Sequence, residues 1–213
     1  MCRLRVFVML TSICCMSGMV QGVTLNVPAG YPTIQAAINA AAPSDTIQVA
    51  AGTYNEAIEV KKAVTLQGAG RATTVIDATG EAAASAVEIF LPGGNVTFDG
   101  FTVKTKGLPT EETFALRVYS TTAGSTITVT NNKFEGTGNP DNYEYGVYVR
   151  ATSAAFVFQH NIVTEGGNNP ILVERNPGAT DISYNTLDAG SWGSSCYYMT
   201  YGDVNVTSLQ KFS

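Results

Sequence analysis

The feature that most constrains the fold is a five-residue pattern, small–apolar–x–apolar–x, that recurs along the chain. It reads AVEIF at 86–90, ALRVY at 115–119, GVYVR at 146–150 and PILVE at 170–174, and AIEV at 57–60 begins it earlier. The first apolar residues of the copies are 24 to 31 positions apart: Ile58, Val87, Leu116, Val147 and Ile171. A sub-pattern that returns at this period, with its length variation confined to the links, is typical of a solenoid.

The copies alternate with period two and are too short for helical pairs, so each predicts a coil made of strands. Val, Thr, Ile, Phe and Tyr, which favour strands, recur in these runs. The two apolar residues of each copy then point inward and stack on their counterparts in the next coil. The sequence therefore predicts an all-β protein, a single-stranded parallel β-helix of about five to six coils.

Three asparagines follow the apolar pairs at a nearly constant distance. Asn132, Asn161 and Asn185 come 14 to 16 residues after the first apolar residue of their copies. Asn tolerates the left-handed backbone that a sharp turn needs, and amides stacked one coil apart can hydrogen-bond along the axis. We expect these residues to form turns and an asparagine ladder.

A short amphipathic segment precedes the first coil. PTIQAAINAA predicts a helix with Thr33 as its N-cap and with Ile34, Ala37, Ile38 and Ala41 on one face. Such a helix covers the N-terminal end of the hydrophobic column, and DTIQVAAGTYNEAIEV supplies the first coil. The opening of the chain is thus explained by architecture, without any chemistry.

The other end of the chain has no comparable cap. A further coil is predicted around Tyr197 and Met199 and then around Val204 and Val206, after which the sequence stops at Ser213. This C-terminal end is either truncated or covered by a partner, so an oligomer or further coils are open alternatives there.

The first residues have the layout of a secretory signal peptide. Arg3 and Arg5 precede an apolar run of about 15 residues, and small residues follow up to Gly22. The run is shorter than the roughly 20 residues of a membrane-spanning helix. We expect residues 1–22 to be the signal peptide and residues 23–213 the β-helix domain. The protein is then secreted or extracellular, or periplasmic in a Gram-negative bacterium, with no membrane attachment after cleavage.

Removal of the signal leaves about 190 residues with a net charge of about −7, because two basic residues are lost and no acidic ones. An acidic chain without a run of basic residues is a poor candidate for nucleic-acid binding. Cys196 is the one cysteine left, so the domain is expected to be stabilised by packing rather than by an internal disulfide. Asn95 and Asn205 stand in sequons that only a eukaryotic secretory pathway would glycosylate.

With YPTIQAAINAAAPSDTIQVAAGTYNEAIEV at 31–60, VTLQGAG at 64–70 and the repeats, the chain resembles the pectin-lyase-like superfamily of right-handed β-helices over residues 24 to roughly 190. The opening is similar to pectin methylesterases and to NosD-like right-handed β-helix repeat proteins. This resemblance implies a right-handed β-helix and says little about function, since fold alone does not carry chemistry.

The catalytic motifs that the resemblance would require do not follow. Where pectin methylesterases have two aspartates, this chain has Tyr145-Gly146 and Asn169-Pro170. Polygalacturonases would need clustered aspartates, and the one histidine, His160, stands in FQHN. Copper, which the NosD-like group suggests, needs more Cys, Met or His than the chain offers. We therefore expect no pectinesterase or polygalacturonase activity and no resident cofactor.

The candidate site is the outer face of the first strand of each coil, where the superfamily binds polysaccharide. Aromatic side chains there can stack on sugar rings, and arginines can bind carboxylates. The candidate ligand-binding residues are Glu88, Arg117, Tyr119, Tyr148, Arg150 and Glu174. The same charges can equally be cross-strand ion pairs of little energetic weight.

Two long links, 105–113 and 135–146, flank this face and carry the candidate calcium ligands Glu111, Glu112, Asp141 and Glu144.

Three functions remain open. The chain is a non-catalytic polysaccharide-binding or cell-surface module, or a polysaccharide lyase that uses Arg117 or Arg150 with calcium on acidic glycans, or a structural fragment of a longer repeat protein.

Overall fold

The computed structural model describes residues 21–90, 92–106, 111–119, 121–137, 144–150, 153–164, 169–175, 178–188, 198–201 and 205–209. Most of the predicted signal peptide, residues 1–20, lies outside the described residues, as do Asp141, Cys196, Tyr197 and Val204. Among the residues described, no helix combines the length and the apolar character that a membrane crossing requires.

One short helix and a long succession of short strands make up the described chain. In chain order they are β1 (Thr24–Val27), α1 (Ile34–Ala40), β2 (Thr46–Val49), β3 (Gly52–Tyr54), β4 (Ile58–Val60), β5 (Thr65–Gly68), β6 (Thr74–Asp77), β7 (Ser85–Phe90), β8 (Val96–Asp99), β9 (Thr102–Lys104), β10 (Thr113–Tyr119), β11 (Thr126–Thr130), β12 (Lys133–Glu135), β13 (Glu144–Arg150), β14 (Ala155–Gln159), β15 (Ile162–Thr164), β16 (Asn169–Glu174), β17 (Ala179–Ser183), β18 (Thr186–Asp188), β19 (Tyr198–Tyr201) and β20 (Asn205–Leu209).

The strands form three parallel sheets that the chain visits in rotation. Sheet I has the order β1-β2-β5-β8-β11-β14-β17-β20, sheet II the order β3-β6-β9-β12-β15-β18, and sheet III the order β4-β7-β10-β13-β16-β19. Each strand pairs with the strand one coil further along the chain, which is the arrangement of a parallel β-helix. Sheets II and III hold six strands each, and the predicted fold and number of coils are confirmed.

The apolar pairs of the repeated pattern stack inward along sheet III. Leu116 pairs with Val87 on one side and with Val147 on the other, and Val147 pairs with Ile171. All four side chains are fully buried. Burial of one such side chain contributes about 1.5–3 kcal/mol, so the stacked pairs supply a large part of the driving force for folding.

The asparagine positions lie one above the other at the turn between sheets I and II. The Asn132 N–H donates to Asn161 Oδ1 at 2.9 Å, and the Asn161 N–H donates to Asn185 Oδ1 at 2.9 Å. Each amide group also donates to a backbone carbonyl of the preceding coil, as Asn161 Nδ2 does to Val129 O. Asn132 and Asn161 are buried, so these bonds satisfy backbone groups that water does not reach.

The left-handed backbone at this turn belongs to the residue before each asparagine. Asn131, His160 and Tyr184 have φ values of 56°, 56° and 59°. The expectation that Asn132, Asn161 and Asn185 themselves are left-handed is wrong. The preceding residue makes the bend, and the bend then directs the asparagine side chain into the core.

The N-terminal helix is capped as predicted and closes one end of the column. The Thr33 side chain accepts the N–H of Ala36 at 3.0 Å, and Ile34, Ala37 and Ile38 are buried. The carboxylate of Glu56, from the GTYNE segment, accepts the N–H groups of both Ile34 and Gln35. Part of the opening that resembles pectin methylesterases therefore holds the helix in place.

A further coil lies at the C-terminal end, where the sequence predicts one around Tyr197, Met199, Val204 and Val206. In β19, Tyr198 pairs with Ile171 and Met199 with Leu172. In β20, Val206 pairs with Thr180 in sheet I.

Candidate functional site

The outer face of sheet III gathers the predicted ligand-binding residues in two columns. One column runs Glu59, Glu88, Arg117, Tyr148 and Leu172, and the other runs Phe90, Tyr119, Arg150 and Glu174. These side chains point outward because they alternate with the inward pairs of the same strands. The register therefore brings all six candidates onto one surface.

The first triad consists of Glu88, Arg117 and Tyr119. The Tyr119 hydroxyl donates to Glu88 Oε1 at 2.7 Å, and Arg117 Nη1 lies 3.9 Å from Glu88 Oε2. The Tyr119 ring stacks on Phe90 with centroids 4.4 Å apart. The carboxylate from β7 thus binds two side chains from β10, so the triad joins adjacent coils.

The second triad repeats the same chemistry two coils further on, with Tyr148, Arg150 and Glu174. The Tyr148 hydroxyl donates to Glu174 Oε2 at 2.8 Å, and Arg150 Nε lies 3.6 Å from the same oxygen. Here β13 supplies the tyrosine and the arginine, and β16 supplies the carboxylate. The Arg150 side chain is about half exposed, at 49%, and is the more accessible arginine of the two triads.

An aromatic cluster lies beneath the triads, outside the main core. Phe114, Tyr148 and Leu172 are buried together, and Tyr145 packs against them. The rings of Phe114 and Tyr148 are stacked with centroids 5.1 Å apart. The Arg117 guanidinium lies over the Phe114 ring at 5.1 Å and over the Tyr119 ring at 4.5 Å.

This packing changes the role expected for Tyr148. Tyr148 is only 7% exposed, so its ring does not offer a face on which a sugar can stack. The stacking role proposed for Tyr148 is therefore corrected: the ring supports the surface, and the hydroxyl orients Glu174. Tyr119 is the more exposed of the two tyrosines, but its ring is stacked on Phe90 and lies under Arg117, so it contacts a ligand through its edge and hydroxyl.

Both tyrosines of the triads hold their protons more firmly than a free phenol does. Burial and the hydrogen bond to Glu174 raise the pKa of Tyr148 to about 12. Burial and the hydrogen bond to Glu88 also raise the pKa of Tyr119. The phenols are therefore hydrogen-bond donors near neutral pH, and the carboxylates accept their bonds.

A small open pocket adjoins the first triad on its N-terminal side. It has a volume of about 220 Å³, and Ser85 within it donates to Glu88 Oε2 at 3.3 Å. Its walls are mostly small and apolar, with two carboxylates, and consist of Ala57, Ile58, Glu59, Ala83, Ala84, Ser85 and Glu88. The pocket extends the polar surface toward β4.

The structure describes three of the four candidate calcium ligands, Glu111, Glu112 and Glu144. Glu111 and Glu112 are exposed, whereas Glu144 is buried and accepts the N–H and the hydroxyl of Thr137. Asp141 lies outside the described residues. Within the described ranges, no group of three or more His, Cys, Asp or Glu side chains is placed to hold a metal ion.

Phe114 and Tyr145 were missed by reasoning from the sequence. Each precedes its inward pair by two residues, and the two positions pair with one another across β10 and β13. An aromatic residue at the same offset in two successive copies was the available signal.

Of the two sequons, Asn95 is exposed, and its Oδ1 accepts the Thr126 N–H at 2.8 Å.

No family model and no curated protein matches the chain. Among solved structures, the chain is similar to pectin methylesterase from carrot, with 19% sequence identity and a TM-score of 0.48 over 90% of this chain and 71% of that protein. The β-helix itself is evident from the three parallel sheets, and esterase activity is a property of the carrot protein.

Proposed function

We propose that the chain is a non-catalytic module that binds polysaccharide along the outer face of sheet III. The observation that supports this best is the pair of Tyr–Glu–Arg triads, which place donors, acceptors and cationic groups on one continuous surface. Sugar hydroxyl groups both donate and accept hydrogen bonds, and sugar carboxylates pair with guanidinium groups. The surface matches both needs.

The length of the surface suits a polymer better than a small molecule. The columns from β4 to β16 cross four inter-strand steps, which at ~4.8 Å each give a surface roughly 19 Å long. Arg150 at one end and the pocket beside Glu88 at the other lie open, whereas Tyr148 between them is covered. We infer that Arg150 and Tyr119 make the main contacts with the glycan.

The raised pKa values of the two tyrosines argue against either phenol as a catalytic base. A lyase needs a group that removes a proton next to a carboxylate, and such a group works best with a pKa near the working pH. The raised pKa of Tyr119 and of Tyr148 keeps both phenols protonated there, as donors and not as bases. With the predicted signal peptide, this function belongs outside the cell or in the periplasm.

The test is a retention assay on immobilised acidic and neutral polysaccharides, with ultraviolet detection of unsaturated sugars in the same samples, with and without calcium. The test variant is Tyr119→Ala/Arg150→Ala. The matched control is Gln67→Ala/Thr128→Ala, which changes two outward side chains of sheet I. We expect retention of the unaltered chain and of the control, and reduced retention of the test variant.

Other outcomes would replace the proposal. Rising ultraviolet absorbance would make the chain a lyase that acts on acidic glycans. Full retention of the Tyr119→Ala/Arg150→Ala variant would move the binding surface away from sheet III. An unaltered chain that is neither retained nor active would favour a structural role in a longer repeat protein.

A further inference from the structure

A groove lies on the outer face of sheet II, away from the triads of sheet III. Its volume is about 410 Å³, and it is lined by Arg71, Thr102, Lys104, Lys133 and Glu135 together with Ala72 and Val75. The strands β6, β9 and β12 place these side chains side by side, since Thr102 pairs with Lys133 and Lys104 with Glu135. We call it the sheet II groove.

Positive charge exceeds negative charge in the sheet II groove. Glu135 pairs with Lys133 and lies 3.8 Å from Lys104, so a single carboxylate serves two ammonium groups. Asp77 of β6 pairs with Lys104 of β9, and its carboxylate accepts hydrogen bonds from the N–H and the hydroxyl of Thr79. With Arg71 the groove has three cationic groups against two carboxylates, in a chain whose formal net charge is −5.

Arg71 lines this groove, and its guanidinium makes few hydrogen bonds to the described part of the chain. The Thr102 hydroxyl donates to Arg71 O at 2.6 Å, which fixes the backbone of the arginine. Arg71 Nη1 donates to His160 O at 2.9 Å, and this is the one hydrogen bond of the guanidinium to the described part of the chain. A guanidinium has five N–H donors, so the others can bind an oxyanion.

An aromatic platform lies at the turn that Arg71 reaches. The rings of His160 and Tyr184 are stacked, with centroids 5.1 Å apart and planes 9° apart. Both residues are exposed, Tyr184 at 58%, and both have the left-handed backbone of the turn between sheets I and II. Exposed stacked rings can pack against a sugar ring, and the cationic groove beside them can bind its charged groups.

We propose that the sheet II groove and the His160–Tyr184 pair form a second binding site, for a sulfated or carboxylated saccharide. Arg71, Lys104 and Lys133 bind the oxyanion groups, and the stacked rings pack against a sugar ring. Electrostatic attraction gives the site its preference for anionic over neutral glycans. The site is separate from the triads of sheet III and does not depend on their function.

His160 is the one histidine of the chain, which gives the site its own reporter. The imidazole Cε1–H signal in proton NMR is followed at fixed pH during titration with three probes: sulfated dextran oligosaccharides, oligogalacturonates and neutral dextran oligosaccharides of the same length. We expect a saturable shift with one or both anionic probes and none with neutral dextran. The stronger of the two anionic responses identifies the oxyanion as sulfate or carboxylate.

Two variants with equal changes in charge separate a specific site from general attraction. Arg71→Gln/Lys133→Gln removes two cations from the sheet II groove, and Lys61→Gln/Arg150→Gln removes two cations at the outer face of sheet III, where Lys61 pairs with Glu59 and Arg150 with Glu174. We expect the first variant to weaken the titration about tenfold or more, because charge-assisted hydrogen bonds are lost. The second should change it less than about threefold, since exposed charges at a distance are screened.

Three results would overturn the proposal: no saturable shift with either anionic probe, an equal shift with neutral dextran, or equal weakening in both variants. Circular dichroism confirms that each variant is folded. Loss of the His160 response leaves retention through sheet III untouched, so failure here and failure of the proposed function are told apart.

Discussion

The carboxylate of Glu56 accepts the backbone N–H of Ile34 at 2.8 Å, and so a residue at the end of the first coil holds the first turn of the N-terminal helix. Its second oxygen accepts the Gln35 N–H at 2.9 Å. These N–H groups have no partner inside the helix, and a negative charge is favourable at a helix N-terminus. The short helix is therefore tied to the solenoid that it covers.

Replacing Glu56 should loosen this cap. We expect Glu56→Ala to lower the free energy of unfolding by about 1–3 kcal/mol, because two helix N–H groups lose a charged acceptor. Urea unfolding followed by circular dichroism measures the change. Glu81→Ala serves as the control and should stay within about 0.5 kcal/mol. Equal effects of the two substitutions would show that the cap contributes nothing.

The asparagine ladder gives a second stability test. Asn161→Ala should cost about 2–4 kcal/mol, because the Asn132 N–H and the Val129 carbonyl lose their buried partner. Asn55→Ala, an exposed asparagine, should have almost no effect. Denaturant unfolding of both variants measures the loss in the free energy of unfolding. A loss below that of the Asn55 variant would mean that the ladder bonds are replaced by water.

The high pKa of Tyr148 predicts a loss of stability in alkaline solution. The folded chain keeps the phenol protonated to about pH 12, whereas an unfolded tyrosine releases its proton near the ordinary value of 10.0. The unfolded state therefore binds fewer protons between these values, and the free energy of unfolding falls as the pH rises from 10 toward 12. This contribution is fully present below pH 10.

Tyr148→Phe removes that contribution and should flatten the decline over the same pH window. Thermal unfolding of both proteins in alkaline buffers measures it. Tyr54→Phe is a useful comparison, because burial also raises the pKa of Tyr54 but its hydroxyl donates to Ala50 O and not to a carboxylate. A Tyr148→Phe profile as steep as that of the unaltered chain would assign the decline to other groups.

Arg150 separates binding from stability. Its ion pair with Glu174 is about half exposed, so Arg150→Gln should change the free energy of unfolding by at most about 1 kcal/mol. Retention on acidic polysaccharide should nevertheless fall, because the guanidinium is the accessible cation of the triads. A large loss of stability with unchanged retention would show that Arg150 stabilises the fold and does not bind the glycan.

The inward pairs of the coils could be predicted from the sequence because one face of each strand is buried, which makes period two visible. Leu116 and Val147 were placed in register for this reason. The outer face carries no such constraint, so the burial of Tyr148 by Phe114 depends on packing that spacing alone does not reveal. For the same reason the left-handed residue was placed one position too late in each turn.

The cationic residues of the sheet II groove were missed because they are far apart in the chain. Arg71, Lys104 and Lys133 follow one another at distances of 33 and 29 residues, about one coil each. A search for runs of basic residues cannot find charges that only the coil period brings together. A search at the coil period can find them.

The coils differ in length, by up to seven residues between the shortest and the longest, yet their strands pair without a gap in sheet III from Val87 to Ile171. All of the difference is taken up by the links, which do not enter the hydrogen-bond register. Segments grafted between the strands should therefore leave the stack intact. The fold can acquire a new recognition loop beside sheet III without paying for it in the core.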